Sequence, residues 1–491
     1  MVQIHIIGVT QADDLVGVAL QTVQQANAII GSKRQLDILR PHLFPESLVA
    51  TATEASRQTN TQPSLNILPN LHELKALIDE LSLLCAKEQA SQKPDSEKSH
   101  QSSVASIVVL ASGDPLYYGI GRWFSKHFAQ KRLTFYPAIS SIQMACHRLA
   151  ISLQDVTVLS LHGRPLATLR TKLKNATTLL ILTDKHSSPH ALARECQDTG
   201  FAQSRITVLE NLSYPHERIR TFSVAQLLDT STGTDTANNE IDPFDPLHIS
   251  VINVKRGLKK DRRRERERDE KKESQSGVDL FLPEFPGIPD IAYITGAEAG
   301  KGMITKREVR LCILSLLQPS NQDIIWDIGA GCGGVAIELA YWNDNASIYA
   351  IECHAERLTH LSANQQRFGV VKNLHIINGH APECLVDLPL PNKVFIGGSG
   401  GKMKTILETV WPILPKGGLL VVSAVVQETQ QSLSDFAKKL SSQDTLLTTE
   451  FSTTAAEIEV VEVSVKRGQL TNTGLDYTSK LPVVVFKFKK V

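Results

Sequence analysis

The chain has 491 residues, 42% of them hydrophobic and 21% charged, with a formal net charge of +1. That length exceeds one ordinary hydrophobic core and calls for two or three domains, two being the working number, while the composition excludes a disordered or fibrous chain. No apolar run reaches the ~18 residues that span a bilayer, and the balanced charge excludes a global field that would favour nucleic acid.

At the N-terminus, Val2, Ile4, Ile6 and Ile7 run directly into Gly8, the pattern of a buried first strand rather than of a signal peptide. A cytoplasmic protein that begins as folded chain is expected. The seven cysteines, at 85, 146, 196, 312, 332, 353 and 384, form no Cys-x-x-Cys pair and no zinc-like spacing, so reduced thiols and no metal site are expected. Polar stretches at 51–66 and 89–106 read as insertions. Between them Leu71, Leu74, Ile78, Leu81 and Leu84 recur at helical spacing and predict an amphipathic packing helix over 68–87.

Val108-Val109-Leu110-Ala111 then predicts a strand, followed at once by Ser112-Gly113-Asp114-Pro115-Leu116-Tyr117-Tyr118-Gly119. Pro115 fixes φ just after Asp114 and makes the loop rigid, while Gly113 lets its backbone lie against a ligand. Ser140 and Ser141 precede a helix, where capping and ligand contact are compatible, and both roles are assigned. Leu161-His162-Gly163-Arg164 could suggest a metal ligand or a general base. No second ligand stands at fixed spacing, so His162 and Arg164 read as structural or substrate-carboxylate groups.

Residues 255–273 carry eleven Lys/Arg against six Asp/Glu with a single aliphatic side chain, and such a run cannot bury a face. It reads as a solvated linker, ranked above a nucleic-acid tail because no aromatic or grooved platform adjoins it. The domains expected are therefore 1–254, a linker at 255–280, and 281–491, both domains α/β.

In the second domain a helical pattern over 305–317 precedes the strand Asp323 to Asp327. A glycine turn, Ile328-Gly329-Ala330-Gly331-Cys332-Gly333-Gly334, comes next, and then a helical run from Val335. Strand, glycine turn and helix in that order make a nucleoside-binding unit, since a Cβ would intrude where the ligand meets the backbone. Asp327 opens the motif, and the third glycine is spaced differently from that of a dinucleotide-binding loop. The next strand, from Ser347, ends at Glu352, an acid placed to accept both ribose hydroxyls. A further strand from Leu374 leads to Gly379-His380-Ala381-Pro382-Glu383, where the adenine-side loop is expected.

Asp327 to Gly333 resembles the D-x-G-x-G-x-G loop of Rossmann-like class I methyltransferases, whose acid sits near the methionine moiety of S-adenosylmethionine. Residues 287–491 resemble the decarboxylating methyltransferase domain of the cobalamin pathway. The resemblance is carried by Gly287-Ile288-Pro289-Asp290, by Ile304-Thr305-Lys306-Arg307-Glu308-Val309-Arg310, by the glycine turn and by Ile396-Gly397-Gly398-Ser399-Gly400-Gly401. In one departure, His380 stands where that family usually has Asp, which leaves the adenine amine contact to neighbouring backbone. Most of 1–254 resembles the two-lobed tetrapyrrole methylases through Ser112–Gly119, Tyr136-Pro137-Ala138-Ile139-Ser140-Ser141, Leu159–Arg164, Leu182-Thr183-Asp184 and Glu210–Ile219.

The order of the two resembles the fused corrin-pathway methyltransferases. That implies S-adenosylmethionine as cofactor, a precorrin tetrapyrrole as substrate, and methylation at carbons 5 and 15 with loss of the ring C acetate carboxyl. The cofactor contacts implied are Gly113, Asp114, Ser140, Ser141, Thr305, Asp327, Gly329, Gly331, Gly333, Glu352, Gly379 and His380. Tyr293, Lys306 and Arg310 are the candidates for orienting the departing carboxylate and managing protons. A homo-oligomer is expected, with no nucleic-acid or membrane partner. The alternative is a tetrapyrrole-binding or channelling protein with one active domain; an RNA methyltransferase ranks below it for want of a base pocket.

Overall fold

The computed structural model describes residues 2–10, 15–43, 63–91, 105–229, 243–256, 284–297, 302–441, 456–471 and 474–491. The charged linker from residue 257 onward, and most of the polar stretches at 51–66 and 89–106, lie outside the described residues.

The first sheet contains β1 (Gln3–Gly8), β2 (Ala28–Gly31), β3 (Ser64–Ile67), β4 (Ser106–Ala111) and β5 (Leu133–Tyr136), in the order β3-β2-β4-β1-β5. Every neighbouring pair is parallel. Parallel strands are covered on both faces, which is why β1 and β4 read as nearly continuous apolar runs. Ile4, Ile6, Ile107 and Val109 pack on Leu74, Ile78 and Phe124 on one face. Ile7, Val108 and Leu110 pack on Val23, Leu36 and Leu39 on the other. The helix expected over 68–87 occupies Leu71–Ser91. Pro69 accounts for its late start, because the residue before a proline is held extended, and Leu68 still donates its N–H to the Gly31 carbonyl beyond the end of β3.

The second sheet contains β6 (Val156–Ser160), β7 (Thr178–Leu182), β8 (Arg205–Glu210), β9 (Arg218–Ser223) and β10 (His248–Asn253), ordered β6-β7-β10-β8-β9. Only β6 and β7 pair in parallel. The helix Ser141–Leu149 joins the two lobes and buries Ile142, Ala145 and Cys146 against Leu180, Leu209 and Val251 of this sheet.

The third sheet takes β11 (Ile324–Ile328), β12 (Ser347–Glu352), β13 (Leu374–Asn378), β14 (Lys393–Ile396), β15 (Leu419–Ala424) and β16 (Ala456–Val463). The hairpin of β17 (Lys466–Thr471) and β18 (Gly474–Ser479) leads to its last strand, β19 (Val483–Lys490). Its order is β13-β12-β11-β14-β15-β19-β16, with β19 antiparallel to both neighbours. Strand order reverses between β11 and β14, and in open α/β sheets that switch point opens the crevice where ligands bind. The helix foreseen at 305–317 is Arg307–Leu317, with Lys306 at its N-cap.

The second and third sheets belong to parts that touch. Arg170 donates to the carbonyls of Gln366 and Arg367 at the end of the helix Ala355–Phe368, and Lys172 pairs with Asp344. Among the described residues no helix is long and apolar enough to cross a membrane.

Candidate functional site

Two sites emerge, one in each half. The first is a cleft of about 950 Å³ between the first two sheets. Gly113, Ser140 and Ser141 line it from one side, and His162, Arg164, Thr183, Leu247 and His248 from the other. Gly113 is left-handed (φ +63°), and a Cβ there would stand 2.8 Å from Ser140 Cα, so the turn and the start of the next helix touch backbone to backbone. Ser140 is buried and spends its hydroxyl on a capping box, accepting from the Gln143 amide at 3.2 Å while donating to Gln143 Oε1 at 3.0 Å. Ser141 is exposed to the cleft. Asp114 does not line it. Its Oδ1 accepts the Leu116 N–H at 2.8 Å and so braces its own loop.

Across the cleft, Asp184 anchors the His162–Arg164 loop by accepting the Gly163 N–H at 2.9 Å. That bond, with those from His186 and Ser187, outweighs its desolvation and holds the Asp184 carboxyl at about 2.

The second site lies at the switch point of the third sheet. Gly329, Glu352, Gly379 and His380 line a depression of about 70 Å³ together with Cys353, Gly398, Ser399 and Lys402. The glycines of the turn are needed for protein contacts. Gly329 (φ +74°) lies so close to Gly398 that a Cβ would sit 2.5 Å from its carbonyl oxygen, and at Gly331 (φ +59°) a Cβ would sit 2.9 Å from the Met303 carbonyl oxygen. The Gly302–Thr305 segment crosses over the turn at Gly331, and Cys332 donates to the Met303 carbonyl at 3.3 Å. Thr305 is half-buried in that segment, and Gly333 caps the following helix in left-handed conformation.

Glu352 is also placed differently from a solvated ribose acceptor. It is 4% exposed; Oε2 accepts the Gly331 N–H at 2.8 Å, and Oε1 accepts those of Cys353 at 2.9 Å and His354 at 3.0 Å. Burial opposes its ionisation, but those three amides and Arg357 hold its carboxyl below the ordinary value. Asp327 is in the opposite position, fully buried, with only the Ala336 amide near enough to favour its charge and no hydrogen bond of full geometry. Desolvation raises it to about 7, the Ala336 backbone opposing the shift and the Glu352 charge adding to it. Among the described residues, Glu352, Cys353 and His354 offer ligand atoms within 4.8 Å of one another, but the carboxylate there is taken up by backbone amides.

The three residues expected to handle the carboxylate are not equivalent. Arg310 has no exposed surface: its Nε donates to Glu338 at 2.7 Å, Nη1 to Asp290 at 3.1 Å and to the Thr305 carbonyl at 2.5 Å, and Nη2 to the Ile288 carbonyl. Tyr293 lies over that guanidinium, 5.0 Å from ring centroid to Cζ, and its hydroxyl donates to the Gly334 carbonyl. Burial pushes the Tyr293 phenol far up, Arg310 only partly offsetting it. Both are thus corrected from substrate-facing groups to a buried polar network that fixes Gly287–Tyr293 and Thr305 against the helix Gly334–Trp342. Lys306 is the half-exposed member; burial lowers its pKa, against the pull of Asp290.

Sequence reasoning did not single out Arg34, Arg122, Ser213 or Tyr214 in the first cleft, or Ser399 and Lys402 in the second. Arg122 stands three residues after the Ser112–Gly119 string, Ser399 inside the Ile396–Gly401 string and Ser213 and Tyr214 inside the Glu210–Ile219 string, so position in or beside a motif was the available signal. Arg34 comes from a distant element and carries none.

Residues 4–228 match the family described as tetrapyrrole (corrin/porphyrin) methylases, and residues 298–472 match the family described as precorrin methyltransferase domain. The protein is thus a methyltransferase enzyme that joins a tetrapyrrole methylase fold to a class I methyltransferase fold. It is 34% identical over 334 residues to a precorrin-6Y C(5,15)-methyltransferase [decarboxylating] of a Sinorhizobium species, covering 68% of this chain and 72% of that one. A protein of the same name from Mycobacterium tuberculosis is 29% identical, over 68% of this chain and 74% of its own length. A shorter protein from Saccharolobus solfataricus, named as a probable cobalt-precorrin-6B C(15)-methyltransferase (decarboxylating), is 28% identical over 42% of this chain and 96% of itself. The chain belongs to the precorrin-6Y C5,15-methyltransferase (decarboxylating) family.

Proposed function

We propose that the chain methylates a precorrin at carbons 5 and 15 and releases the ring C acetate carboxyl as carbon dioxide, binding S-adenosylmethionine at two sites. The observation that carries this reading is the pairing on one chain of two glycine-turn sites of unlike fold, in the order found in its relatives. Residues 1–254 would serve carbon 5, and residues 281–491 carbon 15 and the decarboxylation.

The residues present fit the cofactor. Glu352 sits at the end of β12 with three amides on its two oxygens, and a carboxylate has about four acceptor positions, so one remains for a ribose hydroxyl. Asp327 is a buried carboxyl beside the turn whose charged form a cationic ligand would favour. Gly379 and His380 line the depression, where the adenine would lie. S-adenosylmethionine would supply an already activated sulfonium methyl group, so the task left to the chain is orientation, the source of most of the acceleration when two reactants are held in line. In the first site the Gly113 turn and Ser141 form one wall of the cleft and the His162–Arg164 loop the other. In the second, Lys306 is the group left to orient the departing carboxylate. The 70 Å³ depression there is smaller than the roughly 300–1,000 Å³ of ligand pockets, so binding has to displace the bordering loops.

Homo-oligomerisation and a cytoplasmic location belong to the same reading, and light scattering on the purified chain tests the former. Incubation with S-adenosylmethionine and a precorrin, metal-free or cobalt-loaded, followed by mass analysis, tests the function. Two methyl groups gained and one carbon dioxide lost is the expected product. The small second depression favours one alternative, a chain active at carbon 5 alone, which would give a single methyl and no decarboxylation.

A further inference from the structure

We infer that Arg34, Arg122 and Arg164 form a clamp for the carboxylates of the substrate in the first cleft, closing on it from both lobes. This rests on the proposed function for the substrate's chemistry, but the residues are assigned from the cleft itself. The lining contains these three arginines and the imidazoles of His162 and His248, and no aspartate or glutamate. All three arginines are exposed, and they come from three separate elements: the helix Lys33–Leu43, the helix Gly121–His127 and the loop after β6.

Acids close to the lining in sequence have their oxygens engaged elsewhere: Asp37, three residues after Arg34, pairs with Arg40 at 3.5 Å, and Asp245 accepts the Leu247 N–H at 2.8 Å. Asp114 accepts from Leu116, Asp184 from Gly163, His186 and Ser187, and Glu217 from Arg148 and the Ser213 amide. Among the described residues none of the three arginines has a salt bridge. Arg34 lies over the Tyr214 ring, 5.3 Å from its centroid, and Arg164 donates one N–H to the Ser160 carbonyl at 3.1 Å, so most of the donors of these cleft-lining arginines are unspent. A concave, acid-free cavity with guanidinium groups concentrates polyanions, and the planar fork matches a carboxylate in two-point contact. At about 950 Å³ the cleft stands at the upper end of the roughly 300–1,000 Å³ of ligand pockets.

Two properties of the full chain test the clamp. Uroporphyrin, an octacarboxylate ring, is titrated at low salt against wild type and against Arg34→Ala, Arg122→Ala and Arg164→Ala, with a porphyrin bearing cationic arms as control. S-adenosylmethionine affinity is measured calorimetrically on the same proteins. The expected result is uroporphyrin binding that weakens about tenfold or more with each substitution, is partly rescued by Arg122→Lys, and falls with added salt. Affinity for the cationic ring stays negligible and S-adenosylmethionine affinity is unchanged. Wild type without uroporphyrin binding, variants that bind it equally well, or variants that lose S-adenosylmethionine instead would each overturn the clamp. Uroporphyrin binding that behaves as expected in a chain that transfers no methyl to a precorrin leaves the clamp standing and removes the proposed function.

Discussion

The Gly331 N–H donates to Glu352 Oε2 at 2.8 Å, so the residue expected to hold ribose also holds the glycine turn. Replacing Glu352 with Gln turns one acceptor into an NH₂ group. Whichever way the amide is oriented, that group meets either the Gly331 amide or those of Cys353 and His354, donor against donor. Hydrogen bonds to a charged group are worth roughly 1.5–3 kcal/mol. Glu352→Gln is expected to lower S-adenosylmethionine affinity roughly ten- to a hundredfold at the second site and to lower the thermal midpoint as well. Paired calorimetry and melting check this; weaker binding in a protein of unaltered midpoint would mean that the turn does not lean on this carboxylate.

Asp327 gives stability a pH dependence of defined sign. Its carboxyl is raised from 3.8 to about 7 by burial, so the folded state holds a proton that the unfolded chain has released. Where the folded state binds more protons, stability falls as pH rises. The loss therefore runs from about pH 4 to about pH 7. Asp327→Asn removes it, and the variant should melt several degrees above wild type near pH 8 but close to it near pH 5. A cationic ligand beside the turn favours the ionised form, so S-adenosylmethionine affinity at this site should rise with pH through about 7 in wild type and stay flat in Asp327→Asn. An Asn variant less stable than wild type at pH 8 would show that the ionised carboxylate supports the fold and that burial does not raise this group.

Arg310 distinguishes structural support from catalysis. Removing one partner from a buried ion pair costs about 3–5 kcal/mol, because the remaining charges stay buried. Arg310→Met leaves Glu338 and Asp290 without their shared cation, so urea unfolding should show a loss of that size. A full loss of decarboxylation at unchanged stability would return Arg310 to the reacting centre.

The strands and glycine turns were legible because their signals are local: apolar runs ending at Gly8, Ala111 and Ile328 are β1, β4 and β11. The placing of Gly329, Glu352, Gly379 and His380 around one depression was legible for the same reason, each lying at or just beyond a strand end. The partners of these residues were not. Glu352 looked like a free acid because its three amide donors include one contributed 21 residues upstream, and Arg310 looked substrate-facing because Glu338 and Asp290 flank it at distances no short motif spans. The Gly302–Thr305 crossing was hidden as well, since a backbone contact to Gly331 leaves no trace in side-chain type.

The joint between the two methyltransferase parts rests on a glycine. Gly369 ends the helix Ala355–Phe368 in left-handed conformation (φ +72°), and a Cβ there would stand 2.2 Å from the Ala167 carbonyl oxygen and 2.8 Å from Arg170 Cβ. Ala167 and Arg170 belong to the turn that follows the His162–Arg164 loop, and Arg170, braced by Glu195 at 2.6 Å, reaches the same helix end. Gly369→Ala thus carries two costs, the left-handed strain of about 1–2 kcal/mol and a backbone collision that only separation of the two parts relieves. Gly417 separates these costs: it is equally left-handed (φ +78°) but nothing lies within 4 Å of its Cβ position. Both variants should lose a little thermal stability, while only Gly369→Ala should raise the radius of gyration in small-angle scattering, with helix and sheet content unchanged by circular dichroism. Equal radii for the two variants would show that the parts stay docked without this contact, and the joint would then have to be sought in the Lys172–Asp344 pair.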